Sequence, residues 1–361
     1  MSNRENFAKL LRQLDELQWQ SPEALQDLQL RQLGALAAHF ELYSPQFQSR
    51  LRNKRLQARD LAQPGGLQQL PILRRRELQQ ARDIFCTAVP DGHTPISETQ
   101  TSGSTGEPVV VRRTALNQLD WLATTMREHL WHKRDFSKRI CVVRANVTEA
   151  FCALDWGAPV NLLFKSAPLL ALPIRMNIGQ QIEFLKEFEP QTLLVYPSNL
   201  AGILSEYESS GEKPPAIRQI LSMGETLSSE TRETAMRMFS AQVADMYSSQ
   251  ELGNIALQCP DSGLYHVMAE NLIVEVLADD GASCRDGGIG RLVITDLRNY
   301  ATPLIRYEVG DYAEAGPRCP CGRGLPTLRR ILGRERNLIL MPDSTRHWPL
   351  VGFHKFRAIA P

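Results

Sequence analysis

From Ser97 onward, short apolar runs alternate with stretches of helical periodicity, and no other feature constrains the fold as strongly. Val109-Val110-Val111-Arg112-Arg113, Arg139-Ile140-Cys141-Val142-Val143, Thr192-Leu193-Leu194-Val195-Tyr196 and Ile217-Arg218-Gln219-Ile220-Leu221 are strand-like runs. Helical stretches such as 176–188 and 229–239 separate them. Strands that alternate with helices pack as a buried, largely parallel sheet, so the expected class is α/β. Beyond Asn271 the helices thin out. Leu272-Ile273-Val274-Glu275-Val276-Leu277 and Gly290-Arg291-Leu292-Val293-Ile294-Thr295 read as strands joined by Asp- and Gly-rich turns, a β-rich subdomain. Upstream, the leucines at 10, 11, 14, 17, 25, 28, 30 and 33 fall at helical spacings. The expected division is a helical opening segment over 1–80, an α/β core over 81–260 and the β-rich subdomain over 261–334.

Charge excludes some function classes. The 361 residues carry 41 Lys+Arg against 40 Asp+Glu, a net charge of +1, so no global field recruits nucleic acid or a membrane surface. Hydrophobic residues make up 43% without an apolar run long enough to span a bilayer, which indicates a globular chain. The polar start, Met1 to Asn6, lacks the apolar core of a secretory signal, so the cytoplasm is the expected compartment. Seven cysteines, an odd number, fit thiols or metal ligands better than a disulfide framework.

The segment Thr101-Ser102-Gly103-Ser104-Thr105-Gly106-Glu107-Pro108 suits an anion: its small residues let backbone N–H groups converge, and its hydroxyls can donate to the same point. It lacks the lysine of a Walker loop and the third glycine of a dinucleotide fingerprint. A flexible Ser/Gly loop is the competing reading of this composition.

Four later segments carry further chemistry. Ser222-Met223-Gly224-Glu225-Thr226 directly follows an expected strand, so its glycine sits at the carboxyl edge where open α/β sheets bind ligands. Asp245-Met246-Tyr247-Ser248-Ser249-Gln250-Glu251 combines carboxylates, an aromatic ring and hydroxyls, suited to a purine face and a magnesium ion. The stretch from Thr295 to Gly310-Asp311 ends on a turn that can offer a carboxylate to a ribose diol, and Gly333-Arg334 places a cation before the last apolar run. Taken singly, the first two segments read more readily as ordinary strand-to-helix turns.

In this order the five motifs resemble those of the adenylate-forming (ANL) superfamily, most of all its phenylacetate-CoA ligase branch. Leu70-Pro71-Ile72, Arg76-Glu77-Leu78 and Tyr196-Pro197-Ser198-Asn199-Leu200 add to the match, which covers nearly the whole chain. The resemblance implies an ATP- and magnesium-dependent enzyme with a large α/β domain. Thr101 to Gly106 would hold the triphosphate; Gly224, Glu225, Thr226, Asp245, Met246 and Tyr247 would frame adenine; Asp311 would hold the ribose. Glu251 would bind Mg²⁺, and Arg306 and Arg334 would complete the catalytic set. The implied reaction is attack of a small aromatic carboxylate on the α-phosphate of ATP, giving an acyl-adenylate and pyrophosphate.

The chain departs from the family pattern at Glu107, where a lysine is usual, and at Gln250, where Thr or Ser usually precedes the glutamate. Residues 335–361 resemble a hinge stub without the lid domain of relatives. That absence implies an adenylate passed to a partner enzyme, a reductase or transferase, instead of a built-in CoA transfer. Size and lid also resemble the lidless adenylating proteins of phenazine antibiotic (griseoluteic acid type) biosynthesis, which would make the acid a phenazine carboxylate. A nucleotide-binding scaffold without activity and a lid-truncated aryl-CoA ligase are the alternative readings.

Cys319-Pro320-Cys321 is a C-x-C knuckle, and with Cys259 and His266 it makes a Cys3His set appropriate for structural zinc. Buried thiols beside a solvated histidine are the alternative. Phe151, Trp156, Met223, Met246 and Ile255 flank the motifs and are expected to line a flat acyl slot, against the plainer reading that they are core.

Overall fold

The computed structural model describes residues 3–80, 84–100 and 108–335, together with two short paired strands, Ile339–Leu340 and Arg346–His347. Over this range the chain divides into two compact units. Unit 1 is built from Asn3–Thr125 and Ser248–Glu335, and unit 2 from Met126–Tyr247.

Unit 1 begins with helices α1 (Asn3–Leu17), α2 (Pro22–Tyr43), α3 (Pro45–Lys54), α4 (Ala58–Leu61) and α5 (Arg75–Gln80). Serines set their boundaries. The Ser21 hydroxyl accepts from the N–H of Ala24 with Pro22 in the first turn; Ser44 closes α2 through its own N–H and opens α3 by accepting from the N–H of Phe47. Each such cap is worth about 1 kcal/mol. Leu33, Leu36, Phe40, Phe47, Leu51 and Leu61 bury one apolar face, and Leu297 and Ile305 from the distant end of the chain pack into the same core. The helical opening segment and the β-rich part therefore share one core within unit 1. The hairpin β1 (Ile96–Gln100) and β2 (Val110–Thr114) brackets the Ser/Gly segment, of which Thr101 to Glu107 lie outside the described residues. Helix α6 (Ala115–Trp131) then carries the chain into unit 2.

Unit 2 contains β3 (Ile140–Arg144), β4 (Phe151–Ala153), β5 (Leu169–Pro173), α7 (Ile178–Phe188), β6 (Thr192–Val195), α8 (Pro197–Ser210), β7 (Gln219–Met223), α9 (Ser229–Phe239) and β8 (Gln242–Ser249). The strands lie in the order β8-β7-β6-β3-β5-β4, all parallel except the edge strand β4. Val143, Leu172, Leu193, Val195 and Ile220 are fully buried against Ile182 and Leu185 of α7 and Ile203 of α8. A strand buried on both faces has no polar alternation, which is why these runs read as continuous apolar sequence. Chain order reverses at β3: β5 lies on one side, and β6, β7 and β8 follow on the other. The resulting topological switch point falls between β3 and β6.

The chain returns to unit 1 through β9 (Gly253–Gln258), β10 (Tyr265–Val267), β11 (Leu272–Leu277), β12 (Ile289–Asp296), β13 (Tyr307–Ala315) and β14 (Thr327–Arg334). They form an antiparallel series in the order β11-β12-β13-β14-β10-β9. No helix among the described residues is long and apolar enough to cross a membrane.

Candidate functional site

At the carboxyl edge of the unit 2 sheet, β3 ends on Arg144, β6 is followed by Tyr196, and β7 ends on Met223 before Gly224. Gly224 has φ +80°, and a Cβ there would stand 2.7 Å from Cε1 of Tyr196. Only glycine both takes this left-handed turn and lets the ring pack over it. Glu225 accepts from the N–H of Ser198 at 2.9 Å and from its hydroxyl at 3.0 Å, so it caps the start of α8. Thr226 follows, half-buried. Asp245 and Met246 register opposite Ser222 and Met223, and Met246 and Tyr247 are buried. The segments 222–226 and 245–247, distant in sequence, are thus adjacent along one sheet edge.

Unit 1 holds the other expected residues. Glu251 is buried; it pairs with Arg75 at 2.7 Å and lies 3.4 Å from the Tyr307 hydroxyl. Burial drives the Tyr307 phenol well above its ordinary range, and the Glu251 charge adds to this. Asp311 and Arg334 face each other across β13 and β14 and form an ion pair at 3.1 Å, with Arg334 also donating to the carbonyl of Val309.

Arg306 is engaged within unit 1. It lies in the left-handed region at φ +53°, its Nε and Nη2 donate to the two oxygens of Glu275, and its Nη1 donates to the carbonyls of Gln68 and Leu70. The guanidinium, expected beside the nucleotide, ties the 68–70 segment to Glu275 within β11.

The expected acyl slot is also redrawn. Trp156 is buried, its indole N–H donates to the carbonyl of Lys138 at 3.0 Å, and it meets Phe136 and His129 edge to face, so it is core. Ile255 is fully buried in β9 of unit 1. Phe151 lies on the edge strand β4, about half exposed, and only Met223 and Met246 share the carboxyl edge.

Sequence reasoning passed over three cationic residues: Arg75, which holds Glu251; Arg144, which closes β3; and Arg113, stacked on Trp121 at 4.5 Å. For Arg144 a signal existed, since a cation ends an otherwise apolar run. Beside Arg113, Arg298 grips Asp120 with two hydrogen bonds, while Asp296 accepts from the N–H groups of residues 298 and 299. Burial pushes the Asp296 carboxyl up to about 6.

Cys259, His266, Cys319 and Cys321 bring their ligand atoms within 4.8 Å of one another. Cys259 starts the turn between β9 and β10, His266 lies on β10 opposite Thr327, and the other two sit between β13 and β14. The Sγ atoms of Cys319 and Cys259 are 3.8 Å apart, and Sγ of Cys321 is 3.3 Å from Nε2 of His266. Ligands at about 2.3 Å for sulfur and 2.0–2.1 Å for nitrogen around a tetrahedral ion are separated by about 3.5–3.8 Å, so this donor set fits zinc. Burial alone raises the Cys259 thiol, but hydrogen bonds from His266 and Ser262 and from the backbone lower it, while burial raises its neighbour Cys319.

No protein-family profile matches the chain. It is 23% identical over 340 residues to the phenylacetate-coenzyme A ligase of Pseudomonas putida, with 91% of this chain and 74% of that protein covered. The structure superimposes on 2-hydroxyisobutyryl-CoA ligase in the postadenylation state, in complex with R3-HIB-AMP, with a TM-score of 0.72 at 18% identity, covering 89% of this chain and 70% of that one. The fold is shared with the adenylate-forming ligases. The anthranilate CoA ligase AuaEII, in complex with anthranoyl-AMP, matches more distantly, with a TM-score of 0.51 at 13% identity over 70% of this chain and 49% of that one.

Proposed function

We propose that the protein activates a small aromatic carboxylate by ATP-dependent adenylation. The observation that carries the reading is the carboxyl edge of unit 2, where Tyr196, Gly224 and the pair Met223 and Met246 converge beside the switch point, together with similarity to phenylacetate-CoA ligases along nearly the whole chain. A carboxylate oxygen of the acid attacks the α-phosphorus, the α–β bridging bond breaks, and pyrophosphate leaves with the electron pair. The protein's part is positioning and charge stabilisation. Thr101 to Gly106 receive the phosphates in this reading, Gly224 to Thr226 and Asp245 to Tyr247 the adenine, and Asp311 the ribose, with Arg334 holding Asp311 in place.

Glu251 is the magnesium ligand of the proposal. A single carboxylate fits an ion that arrives on the nucleotide's phosphates, because Mg²⁺ is commonly held by one or two carboxylates plus phosphate oxygens. When bound, the ion neutralises phosphate charge; until then Arg75 serves as the carboxylate's counter-ion. The zinc of the Cys3His set is structural in this reading and closes the β9–β10 and β13–β14 turns on each other.

Carboxylate-dependent exchange of labelled pyrophosphate into ATP tests the reading, with phenylacetate, benzoate, anthranilate and phenazine-1-carboxylate as substrates. Exchange with at least one acid, and the matching acyl-AMP by mass spectrometry, is the expected result. Binding of ATP and acid by calorimetry without exchange would replace the enzyme by a nucleotide-binding scaffold. The acyl-AMP is proposed to pass to a partner reductase or transferase; a thioester formed when coenzyme A is added to the purified chain would overturn that step alone.

A further inference from the structure

Arg144 has no place in the roles given above. It is the last residue of β3, at the switch point of the unit 2 sheet, and its Nη1 reaches past the end of β6 to the Met223 sulfur on β7 at 3.0 Å. The guanidinium therefore lies over the carboxyl edge, beside Tyr196 and the Gly224 turn. Among the described residues no carboxylate pairs with it, and its one hydrogen-bond acceptor is that thioether, which is weak. Burial pulls its pKa down, and the neighbouring Tyr196 phenol acts weakly in the other direction. Buried cations are normally paired, because desolvation is costly without a compensating anion. Two buried arginines show the rule: Arg134 pairs with Glu128 and Arg306 with Glu275.

We infer that Arg144 is the recognition residue for the reacting carboxylate of the ligand acid, gripping it as a planar fork at the switch point while Met223 and Tyr196 supply the flanking apolar surface. The inference rests on the carboxylate-activation reading and adds to it the residue that distinguishes an acid from its neutral analogues. A guanidinium matches a carboxylate with two parallel N–H···O bonds, which an ammonium cannot reproduce. A carboxylate offers about four lone-pair sites, so a bidentate grip leaves others free for attack on phosphorus. Adenylation turns the anion into a neutral acyl group, so the grip weakens as the product forms.

The test is calorimetric titration of the whole chain, without nucleotide, using phenylacetate, benzoate, anthranilate and phenazine-1-carboxylate against their primary carboxamides. Wild type is expected to prefer at least one acid over its amide by about 10- to 100-fold, the range of a hydrogen-bonded charge pair. Arg144→Gln should bring acid and amide within about threefold, and Arg144→Lys should retain an intermediate preference because charge survives while the fork is lost. Circular dichroism and melting curves identify a variant that fails to fold, and the folded lysine variant then decides. The inference is overturned if folded Arg144→Gln keeps the wild-type preference, or if wild type prefers no acid over its amide. Pyrophosphate exchange separates this outcome from failure of the function. An Arg144-dependent acid preference with no exchange sinks adenylation and keeps the inference. Exchange with an unchanged KM for the acid in Arg144→Gln sinks the inference and keeps adenylation.

Discussion

Replacing Arg306 by methionine removes a buried guanidinium that makes four hydrogen bonds, two to Glu275 and two to the carbonyls of Gln68 and Leu70. Methionine fills much of the space but leaves the Glu275 carboxylate buried, and burial already raises its pKa with the arginine present. Breaking one partner out of a buried ion pair costs about 3–5 kcal/mol. With a urea slope of about 2 kcal/mol/M, that cost moves the unfolding midpoint down by roughly 2 M. Adding Glu275→Leu should recover about half of the loss, because the stranded charge goes while the two carbonyls stay unpaired at about 1–3 kcal/mol each. Tryptophan fluorescence in urea, with pyrophosphate exchange measured on the folded fraction at low temperature, reads both consequences. A structural arginine predicts a large midpoint shift and near-normal exchange per folded molecule. A midpoint shift below about 0.5 M with exchange abolished would show that Arg306 serves the nucleotide and that its ion pair is incidental.

Gly224→Ala places a Cβ against the Tyr196 ring in a left-handed turn, so stability should fall by about 1–2 kcal/mol from backbone conformation alone, with a raised KM for ATP; an unchanged melting curve would count against the ring packing described here. Elemental analysis of protein purified without chelators should find about one zinc per chain, and the double change Cys319→Ser, Cys321→Ser should abolish it and lower the melting temperature. A metal-free but fully stable wild type would reject the zinc. Asp296 offers a pH test. Its folded pKa, about 6, stands above its ordinary 3.8, so its contribution to stability is full below about pH 4, falls as pH rises through 6 and is level above that. Asp296→Asn keeps an oxygen for the N–H groups of residues 298 and 299 but cannot ionise. Stability of wild type minus variant should therefore drop by on the order of 3 kcal/mol between pH 4 and 7, and a flat difference would refute the burial argument.

Local sequence carried the elements well. The β11 run and the helix over 229–239 occur with the ends that periodicity gives, because an apolar run or a Ser cap is written in adjacent residues. Strand ends were less legible. The run read as 217–221 is a strand over Gln219–Met223, since hydrogen bonding to neighbouring strands, not hydropathy, sets where pairing stops. Glycine positions were informative: Gly224 stood out as a sheet-edge turn, and its φ explains why. Partners distant in the chain were not legible. Nothing near Glu251 announces Arg75, 176 residues away, and nothing near Arg306 announces Glu275 and the carbonyls of 68 and 70. The surroundings of Trp156 were illegible for the same reason: its indole N–H finds a carbonyl on another segment, and the ring is buried.

The division of unit 1 into Asn3–Thr125 and Ser248–Glu335 sets an order in time. The main body of unit 2, Met126–Tyr247, is one continuous stretch, so it leaves the ribosome before the β-strands that complete unit 1 exist. At about 5–20 residues per second, helices α1 to α4 wait several seconds at least, while the 122 residues of Met126–Tyr247 are made. During that wait the side chains of Phe40, Phe47 and Leu51 have no Leu297 or Ile305 to pack against. The first-made part of this protein is thus the last to be finished, and nascent-chain aggregation and chaperone contact should concentrate on its opening helices.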